Sequence, residues 1–406
     1  MFKRNLVLQL QKRMLEKRRF MQVVIGPRQT GKTTAVLQAL ESLHKPQHFI
    51  SADDPALVSP EWLRNEWEKA RLLQKRTGKE TILVIDEVQK IPAWPSMVKL
   101  LWDEDTRKKT PIKVILSGSS SLLIQKGLSE SMAGRFEVLF CQHWNYKECK
   151  AAFRYTLDDF LFFGGYPGAA SLKNDVERWA RYIGSSIVEP VISRDILQME
   201  DIRKPALLRS LFTLGASCAA QELSYTKILG QLHDAGNTVT LAHYLELLDK
   251  ANILCSLQKY SSNKIRSRQS SPRFMVYDTS LLVWASGSSR KNILEMPDAR
   301  GRLVESSVGA FLLARGKEEG FSVFWWRERE NEVDFVIEKG NALTAIEVKS
   351  GIVKHLKGSM EFLKCYPNAL SITVGTFNES AGRSYRGTEE FGLEDFLEGK
   401  IPLFKE

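Results

Sequence analysis

The sequence predicts an α/β protein that begins with a parallel β-sheet covered by helices on both faces. In the first 145 residues, short apolar runs alternate with polar, helix-like stretches. Such alternation is typical of a parallel sheet, because parallel strands must be joined by crossover helices. Two of the apolar runs end in phosphate-binding or acidic segments, and strand tips of this kind meet at one edge of a parallel sheet.

The first strand, Gln22–Ile25, leads into the segment GPRQTGKT at residues 26–33. This is the pattern G-x-x-x-x-G-K-[ST], in which backbone N–H groups surround a β-phosphate at the start of a helix. Lys32 is expected to reach the β- and γ-phosphates of ATP, and Thr33 to bind Mg²⁺. The predicted nucleotide-binding residues are Gly26, Pro27, Arg28, Gln29, Thr30, Gly31, Lys32, Thr33 and Thr34.

A second strand, Ile82–Ile85, ends in Asp86 and Glu87. Since a buried strand disfavours carboxylates, these acids are expected to face a ligand crevice. Asp86 would hold the Mg²⁺ shell with Thr33, and Glu87 would polarise an attacking water. The alternative is that both are solvated loop acids. Together with the phosphate loop, they predict an ATPase or an ATP-driven switch.

Further elements complete this region: strand Gln47–Ser51, helix Pro60–Lys79, a helix around Trp94–Asp103, strand Lys113–Leu116 and a strand-like run at 136–140. Ser117 follows one strand and is expected either to contact the γ-phosphate or its attacking water, or to cap the next helix. Arg135 precedes another strand and would act as an arginine finger or be a surface charge.

Composition is that of a soluble globular protein, with 43% hydrophobic and 26% charged residues. No apolar run has the length of a membrane span, and five scattered cysteines lack metal-ligand spacing, which favours a cytoplasmic protein with reduced thiols. The basic segment at residues 3–19 is expected to form a helix packed on the ATPase core rather than a transit peptide.

Beyond residue 145, the sequence indicates a helical lid at 146–205, interrupted by Gly164-Gly165-Tyr166-Pro167. Residues 206–286 then predict a winged helix-turn-helix, with helices Lys204–Ser217, Tyr225–His233 and Thr238–Ala251 and strands Ile253–Tyr260 and Arg273–Tyr277. The alternative is a helical protein-contact module, since Thr238–Ala251 carries Glu246 and Asp249 and no arginine.

Basic charge is concentrated between these two strands. The chain has a net charge of +10, and residues 256–277 contain five Lys or Arg residues and no acid. This predicts nonspecific contact of the hairpin with nucleic-acid phosphates, DNA being favoured. The residues of this basic hairpin are Lys259, Lys264, Arg266, Arg268 and Arg273.

Residues 299–406 predict a second α/β domain. Its expected elements are helix Arg302–Gly316, strands Phe321–Trp326, Glu332–Glu338 and Leu343–Lys349, helix Val353–Tyr366 and strand Leu370–Val374. Glu305, Asp334 and Glu347 would converge on Mg²⁺, because close carboxylates repel one another without a cation. Lys349 lies on the same strand face as Glu347 and would assist phosphodiester hydrolysis. The alternative is a set of surface salt bridges on a structural domain.

Six segments together carry a family resemblance: GPRQTGKT, LVIDEVQ, LSGSSS, AGRF, FFGGYPGA and EVDFVIEKG…AIEVKSG. They resemble a widespread prokaryotic AAA+-superfamily ATPase family with a C-terminal domain of unknown function similar to PD-(D/E)xK (restriction-endonuclease-like) nucleases. The resemblance implies a P-loop AAA+-like ATPase with a helical lid, a winged helix and a nuclease-like domain. One departure is Cys141-Gln142-His143-Trp144, where a proline-containing segment is usual.

The leading hypothesis is therefore an ATP-hydrolysing switch coupled to a nucleic-acid-directed, Mg²⁺-dependent nuclease domain. The alternative is a signalling or scaffolding ATPase whose C-terminal domains bind protein partners without catalysis. Self-association into a homo-oligomer is a further expectation, and a membrane partner is not expected.

Overall fold

The structure is a computed structural model of the chain, and it describes residues 2–53, 59–118, 124, 132–197, 202–232, 237–261, 271–350, 357–375, 383–385 and 388–405. The chain forms two compact units, Met1–Gln142 and His143–Glu406. The first ends close to the predicted limit of the ATPase core at residue 145.

The first unit contains a parallel sheet in the strand order β2-β3-β4-β1-β5. Its strands are β1 (Met21–Ile25), β2 (Gln47–Ser51), β3 (Thr81–Asp86), β4 (Ile112–Ser117) and β5 (Phe136–Phe140). Every pairing among them is parallel, so the carboxyl ends of β1, β3 and β4 lie at one edge. This confirms the predicted parallel sheet.

Helices cover both faces of this sheet. They are α1 (Asn5–Leu15), α2 (Lys32–Leu43), α3 (Pro60–Thr77) and α4 (Trp94–Lys108). One apolar cluster joins α1 and α2 to Val24 of β1, and another joins α3 and α4 to Val23 of the same strand. Successive strand residues thus point to opposite cores. The N-terminal basic segment is a helix of the core, as predicted.

The second unit opens with short helices: α5 (Tyr146–Phe153), α6 (Leu157–Phe163), a 3₁₀ turn (Pro167–Leu172) and α7 (Val176–Tyr182), which continues into π-helical turns at Ile183–Val188 and Val191–Ile196. The predicted break after Phe163 is confirmed. Gly165 is required there because an added Cβ would lie 2.1 Å from the Trp144 carbonyl oxygen.

The predicted helix–helix–hairpin order follows as α8 (Pro205–Ser217), α9 (Tyr225–Gln231), α10 (Thr238–Lys250) and the antiparallel strands β6 (Leu254–Leu257) and β7 (Arg273–Val276). The predicted apolar face of α10 is buried at Leu241, Leu245 and Leu248. The predicted turn at Asp234–Gly236 and the basic residues Lys264, Arg266 and Arg268 lie outside the described residues.

After α11 (Thr279–Ser286) and α12 (Arg290–Glu295), the long helix α13 (Pro297–Glu319) precedes a mixed sheet. Strands β8 (Ser322–Glu328), β9 (Asn331–Lys339) and β10 (Ala342–Lys349) form an antiparallel meander. Helix α14 (Lys357–Cys365) then leads to β11 (Leu370–Gly375), which is parallel to β10. These are the predicted elements in the predicted order.

The chain ends with elements that sequence reasoning did not identify: β12 (Arg383–Tyr385), β13 (Thr388–Gly392) and α15 (Leu393–Leu397). They extend the sheet to the order β12-β13-β11-β10-β9-β8. No helix among the described residues is long and apolar enough to cross a membrane.

Candidate functional site

The phosphate loop connects β1 to α2 in the first unit. Gly26 permits a close backbone approach, because an added Cβ would lie 2.0 Å from the Cys141 carbonyl oxygen. Cys141 in turn donates its N–H to the Ile25 carbonyl at 2.7 Å. The segment that departs from the resembled family therefore supports the loop directly.

Lys32 and the residues around it have the arrangement that the motif predicts. Lys32 is buried at the start of α2, and its Nζ donates to the carbonyl oxygens of Gly26 at 3.0 Å and Pro27 at 2.5 Å. Thr30 Oγ1 donates to the Pro27 carbonyl at 3.0 Å. The ammonium group thus lies inside the loop, where it can neutralise phosphate charge.

Asp86 joins three elements at the carboxyl edge of the sheet. Its Oδ2 accepts a hydrogen bond from Thr33 Oγ1 at 2.9 Å, and its Oδ1 accepts one from Ser117 Oγ at 2.6 Å. The residue is only 5% exposed at the tip of β3. Carboxylate and hydroxyl oxygens are the donors that Mg²⁺ prefers, so Thr33 and Asp86 are suited to hold it beside the loop. Ser117 orients Asp86, a partner not predicted for it.

Glu87 follows directly in left-handed conformation, with φ 54°. Its Oε2 accepts a hydrogen bond from Gln89 Nε2 at 2.6 Å, and Lys90 Nζ lies 3.8 Å away. The left-handed conformation of Glu87 turns the chain at the tip of β3. Glu87 is thus the residue that precedes a 3₁₀ turn, Val88–Lys90. Sequence reasoning missed Gln89 as its partner.

Arg4 is a second residue that sequence reasoning missed. It is 8% exposed, and its Nη1 donates to the carbonyl oxygens of Thr30 at 3.1 Å and Gln142 at 3.0 Å. The same nitrogen lies 3.3 Å from Cys141 Sγ. Arg4 therefore connects the phosphate loop to the segment that follows β5. The sequence did not indicate this role, because Arg4 is one of several basic residues in the N-terminal segment.

The position of Arg135 bears on its two predicted roles, arginine finger or surface charge. It forms a two-pronged ion pair with Asp103 of α4, at 2.8 Å from Nε and 3.0 Å from Nη2. Its neighbour Phe136 pairs with Met21 at the start of β1, whereas the phosphate loop follows Ile25 at the other end. Four residue steps of a strand span roughly 13 Å. This placement favours the surface-charge alternative for Arg135 over an arginine finger on the site of its own chain.

The predicted C-terminal acids surround an arginine in the second unit. Arg273 of β7 directs Nη1 to Glu305 Oε1 of α13 at 2.9 Å and to Asp334 Oδ1 of β9 at 3.5 Å. Its Nη2 pairs with Glu332. The Arg273 side chain is 7% exposed. The basic-hairpin prediction treated this residue as a phosphate contact, but it is a buried ion-pair partner.

Glu347 and Lys349 share a strand face as predicted and form an ion pair of 3.1 Å. The other oxygen of Glu347 accepts hydrogen bonds from Ser359 N at 2.7 Å and Ser359 Oγ at 2.8 Å. Asp334 Oδ2 accepts one from Val348 N at 2.8 Å. Both acids are thus bonded to protein groups at the junction of β9, β10 and α14.

Burial raises the pKa of Glu305 and of Asp334, the negative charge of Asp334 adds to the effect on Glu305, and Arg273 opposes it. No group of three or more His, Cys, Asp or Glu side chains among the described residues could hold a metal ion. The structure brings Glu305 and Asp334 together around Arg273, and the charges of Glu347 and Lys349 act on Asp334 from the neighbouring strand. These residues and Lys349 form an ion-paired cluster, and the Mg²⁺-dependent nuclease site stays a prediction.

Comparison with known proteins separates the chain into three segments. Residues 18–150 match a family described as an AAA domain. Residues 154–292 and 300–391 match two domains of unknown function, DUF8612 and DUF4143. The first match supports the prediction of a P-loop ATPase domain of the AAA type in the N-terminal region. The other two matches assign no activity.

Individual relatives are distant. An uncharacterized protein of Methanocaldococcus jannaschii is 26% identical over 337 residues, which is 78% of this chain and 71% of that protein. A solved Walker-type ATPase of Pyrococcus abyssi is 16% identical with a TM-score of 0.48, covering 70% of this chain and 96% of its own. The Aeropyrum pernix ORC2 protein is 11% identical with a TM-score of 0.33, covering 74% and 93%.

Proposed function

We propose that the protein is an ATP-hydrolysing switch whose nucleotide site is formed by the phosphate loop, Thr33, Asp86 and Glu87. The observation that carries this proposal is the Asp86 carboxylate, which accepts hydrogen bonds from both Thr33 and Ser117. Hydroxyl groups from two other elements thereby fix a carboxylate beside the loop. A fixed oxygen donor at this position supports an ATP·Mg²⁺ site.

Each residue has a separate task in this proposal. The loop N–H groups and Lys32 bind the β- and γ-phosphates, because their positive character matches the phosphate charge. Thr33 and Asp86 would hold Mg²⁺, which when bound neutralises charge on the phosphates. Glu87 would orient and polarise the attacking water, and Gln89 holds its carboxylate at 2.6 Å.

Two substitutions separate binding from turnover. Lys32→Ala should abolish ATP binding, measured with a fluorescent ATP analogue, because the loop loses the ammonium group that neutralises the β- and γ-phosphates. Glu87→Gln should retain binding and lose phosphate release, because the Asp86–Thr33 pair stays intact. Lys75→Ala, on the exposed surface of α3, is the matched control and should change neither. Equal loss of binding in both site variants would contradict these roles.

We further propose that the second unit directs the switch to nucleic acid. The support is the net charge of +10 and the stretch at 256–277, which has no acid and, apart from the ion-paired Arg273, contains Lys259, Lys264, Arg266 and Arg268. The helix–helix–hairpin order of α8 to β7 is compatible with a winged helix, and the order α13-β8-β9-β10-α14-β11 with a restriction-endonuclease-like fold.

Salt dependence tests this partner. Reversing Lys264, Arg266 and Arg268 to glutamate should weaken binding to duplex DNA without sequence preference and flatten its dependence on salt. Each phosphate contact contributes about −0.9 to the log–log slope. Reversing the exposed Lys75 of the first unit is the control. An unchanged slope would favour the scaffolding alternative, in which the second unit binds protein.

A further inference from the structure

We propose that Arg273 is a built-in counter-ion that keeps the C-terminal acid cluster free of divalent metal. The cluster consists of Glu305, Glu332, Asp334 and Glu347 with the cations Arg273, Arg327 and Lys349. It takes no part in the proposed ATP chemistry, so this inference stands or falls independently of the ATP switch. It assigns the position expected for Mg²⁺ to a side chain of the protein itself.

The guanidinium of Arg273 lies between three carboxylates of the cluster. One nitrogen, Nη1, is 2.9 Å from Glu305 and 3.5 Å from Asp334, and Nη2 pairs with Glu332. A guanidinium offers five donors in a rigid plane, so it can satisfy several carboxylates at once. A metal ion beside it would be repelled by its positive charge.

Other oxygens of the cluster also accept hydrogen bonds or form ion pairs. Asp334 Oδ2 accepts from Val348 N, and Glu347 is bonded by Ser359 and paired with Lys349 at 3.1 Å. Mg²⁺ requires near-octahedral oxygen donors at about 2.0–2.1 Å, and the positive charge of Arg273 among Glu305, Glu332 and Asp334 opposes its entry. The donor set therefore does not fit the ion that the nuclease resemblance implies.

The position of Arg273 is fixed by its backbone. It pairs with Leu257 in the β6–β7 hairpin, and its neighbour Phe274 donates its N–H to Gln221 at 3.1 Å. The guanidinium carbon lies 5.6 Å from the Trp325 ring centroid, within cation–π distance. Since the strand is paired and the side chain is buried, the arginine is a permanent part of the cluster.

Metal counting tests the proposal in the full chain without nucleotide. Free Mn²⁺ is measured by electron paramagnetic resonance during titration of the wild type and of Asp334→Asn. The proposal predicts the same number of bound ions in both, since no ion uses Asp334. One additional tight ion in the wild type would overturn it.

Removal of the arginine supplies the second arm. Arg273→Met should create one Mn²⁺ site and lower the melting temperature in EDTA by roughly 10 °C, with partial recovery in Mn²⁺. Arg327→Met is the matched control: it also contacts Glu332, but its side chain is 40% exposed, and it should gain no ion. A folded Arg273→Met that gains no ion would contradict the proposal. If this variant does not fold, the comparison of wild type with Asp334→Asn remains decisive.

Discussion

Asp278 is a fully buried carboxyl group that ties the Gly164-Gly165 turn to helix α11. Its oxygens accept hydrogen bonds from Gly165 N at 2.7 Å and from Ser280 N at 3.0 Å, as well as from the Ser280 hydroxyl. Burial raises the pKa of Asp278 from 3.8 to about 6, although these hydrogen bonds favour the ionised form. The carboxyl group of Asp278 is therefore protonated up to a higher pH in the folded protein than in the unfolded chain.

The sign of the pH effect follows from this raised pKa. Asp278 contributes most to stability below pH 3.8, its value when exposed, and this contribution is lost as pH rises through about 6. The wild type should therefore lose about 3 kcal/mol relative to Asp278→Asn between these limits. Urea unfolding at a series of pH values measures this difference. A difference that does not change with pH would show that Asp278 does not titrate in this range.

Arg4 should act on nucleotide affinity without touching the nucleotide. Arg4→Ala removes the hydrogen bonds to Thr30 and Gln142, so the phosphate loop loses a buried support. We expect ATP affinity to fall by on the order of tenfold, since charged hydrogen bonds contribute about 1.5–3 kcal/mol. Binding of a fluorescent analogue measures the change.

The control for Arg4→Ala is Arg13→Ala, in the last turn of α1. Arg13 forms a surface ion pair with Glu137 at 3.3 Å, and such pairs contribute little. Unchanged affinity in Arg4→Ala would mean that the loop holds its shape without the N-terminal segment. A loss of affinity in both variants would point to the helix as a whole rather than to Arg4.

These residues show what sequence can predict at the site. Lys32, Thr33 and Asp86 were found because their chemistry depends on local spacing after a strand. The partners of Arg4 and Arg273 were not predicted, because an arginine's partners depend on tertiary contacts. Arg4, for example, contacts Gln142, which is separated from it by 138 positions in the sequence. The basic stretch predicted that Arg273 contacts the phosphates of a polyanion. In the structure its guanidinium is instead buried among acidic side chains of the same chain.

At the scale of elements, the turn after α6 depends on close backbone packing. Gly165→Ala places a Cβ 2.1 Å from the Trp144 carbonyl oxygen, a contact that requires the backbone to move. We expect a loss of about 3 kcal/mol or more in the free energy of unfolding, comparable to overpacking a rigid core. Urea denaturation of the full chain measures this change.

Gly230 in helix α9 provides the matched control. An added Cβ there has no heavy atom within 4 Å apart from its chain neighbours and its own helix backbone. Gly230→Ala should be neutral or stabilise by about 0.4–1 kcal/mol, because alanine restricts the unfolded chain. If the two alanine variants lost equal stability, the close approach at Gly165 would not be the cause.

Element prediction succeeded where apolar periodicity is strong and failed where it is weak. Strand β3 contains the predicted run Ile82–Ile85, in which every residue is apolar and buried. Strand β13 (Thr388–Gly392) contains two glutamates and only one large apolar residue, so it lacks the apolar run that predicts a strand. Its pairing with β11 comes from tertiary structure, which sequence periodicity does not report.

At the scale of the whole molecule, the predicted lid, middle and C-terminal segments interlock within the second unit. Arg290 pairs with Asp159 at 2.6 Å, and Lys150 pairs with Glu398 at 2.8 Å. Tyr260 N donates to the Trp325 carbonyl at 2.6 Å, which continues the edge of β8. The fourfold division at 145, 205 and 286 stays a prediction, but these contacts indicate shared stability.

This interlocking predicts how truncated chains behave. Residues 143–406 should fold alone with one cooperative urea transition, because they contain every partner named above. Residues 299–406 should not, because they lose Arg273 as the counter-ion of Glu305 and Asp334, and removing one partner of a buried ion pair costs about 3–5 kcal/mol. They also expose the edge of β8 that Tyr260 covers. Circular dichroism during urea unfolding distinguishes the two fragments. A cooperative transition of residues 299–406 at the same urea concentration would show that the C-terminal domain is independent of the segments before it.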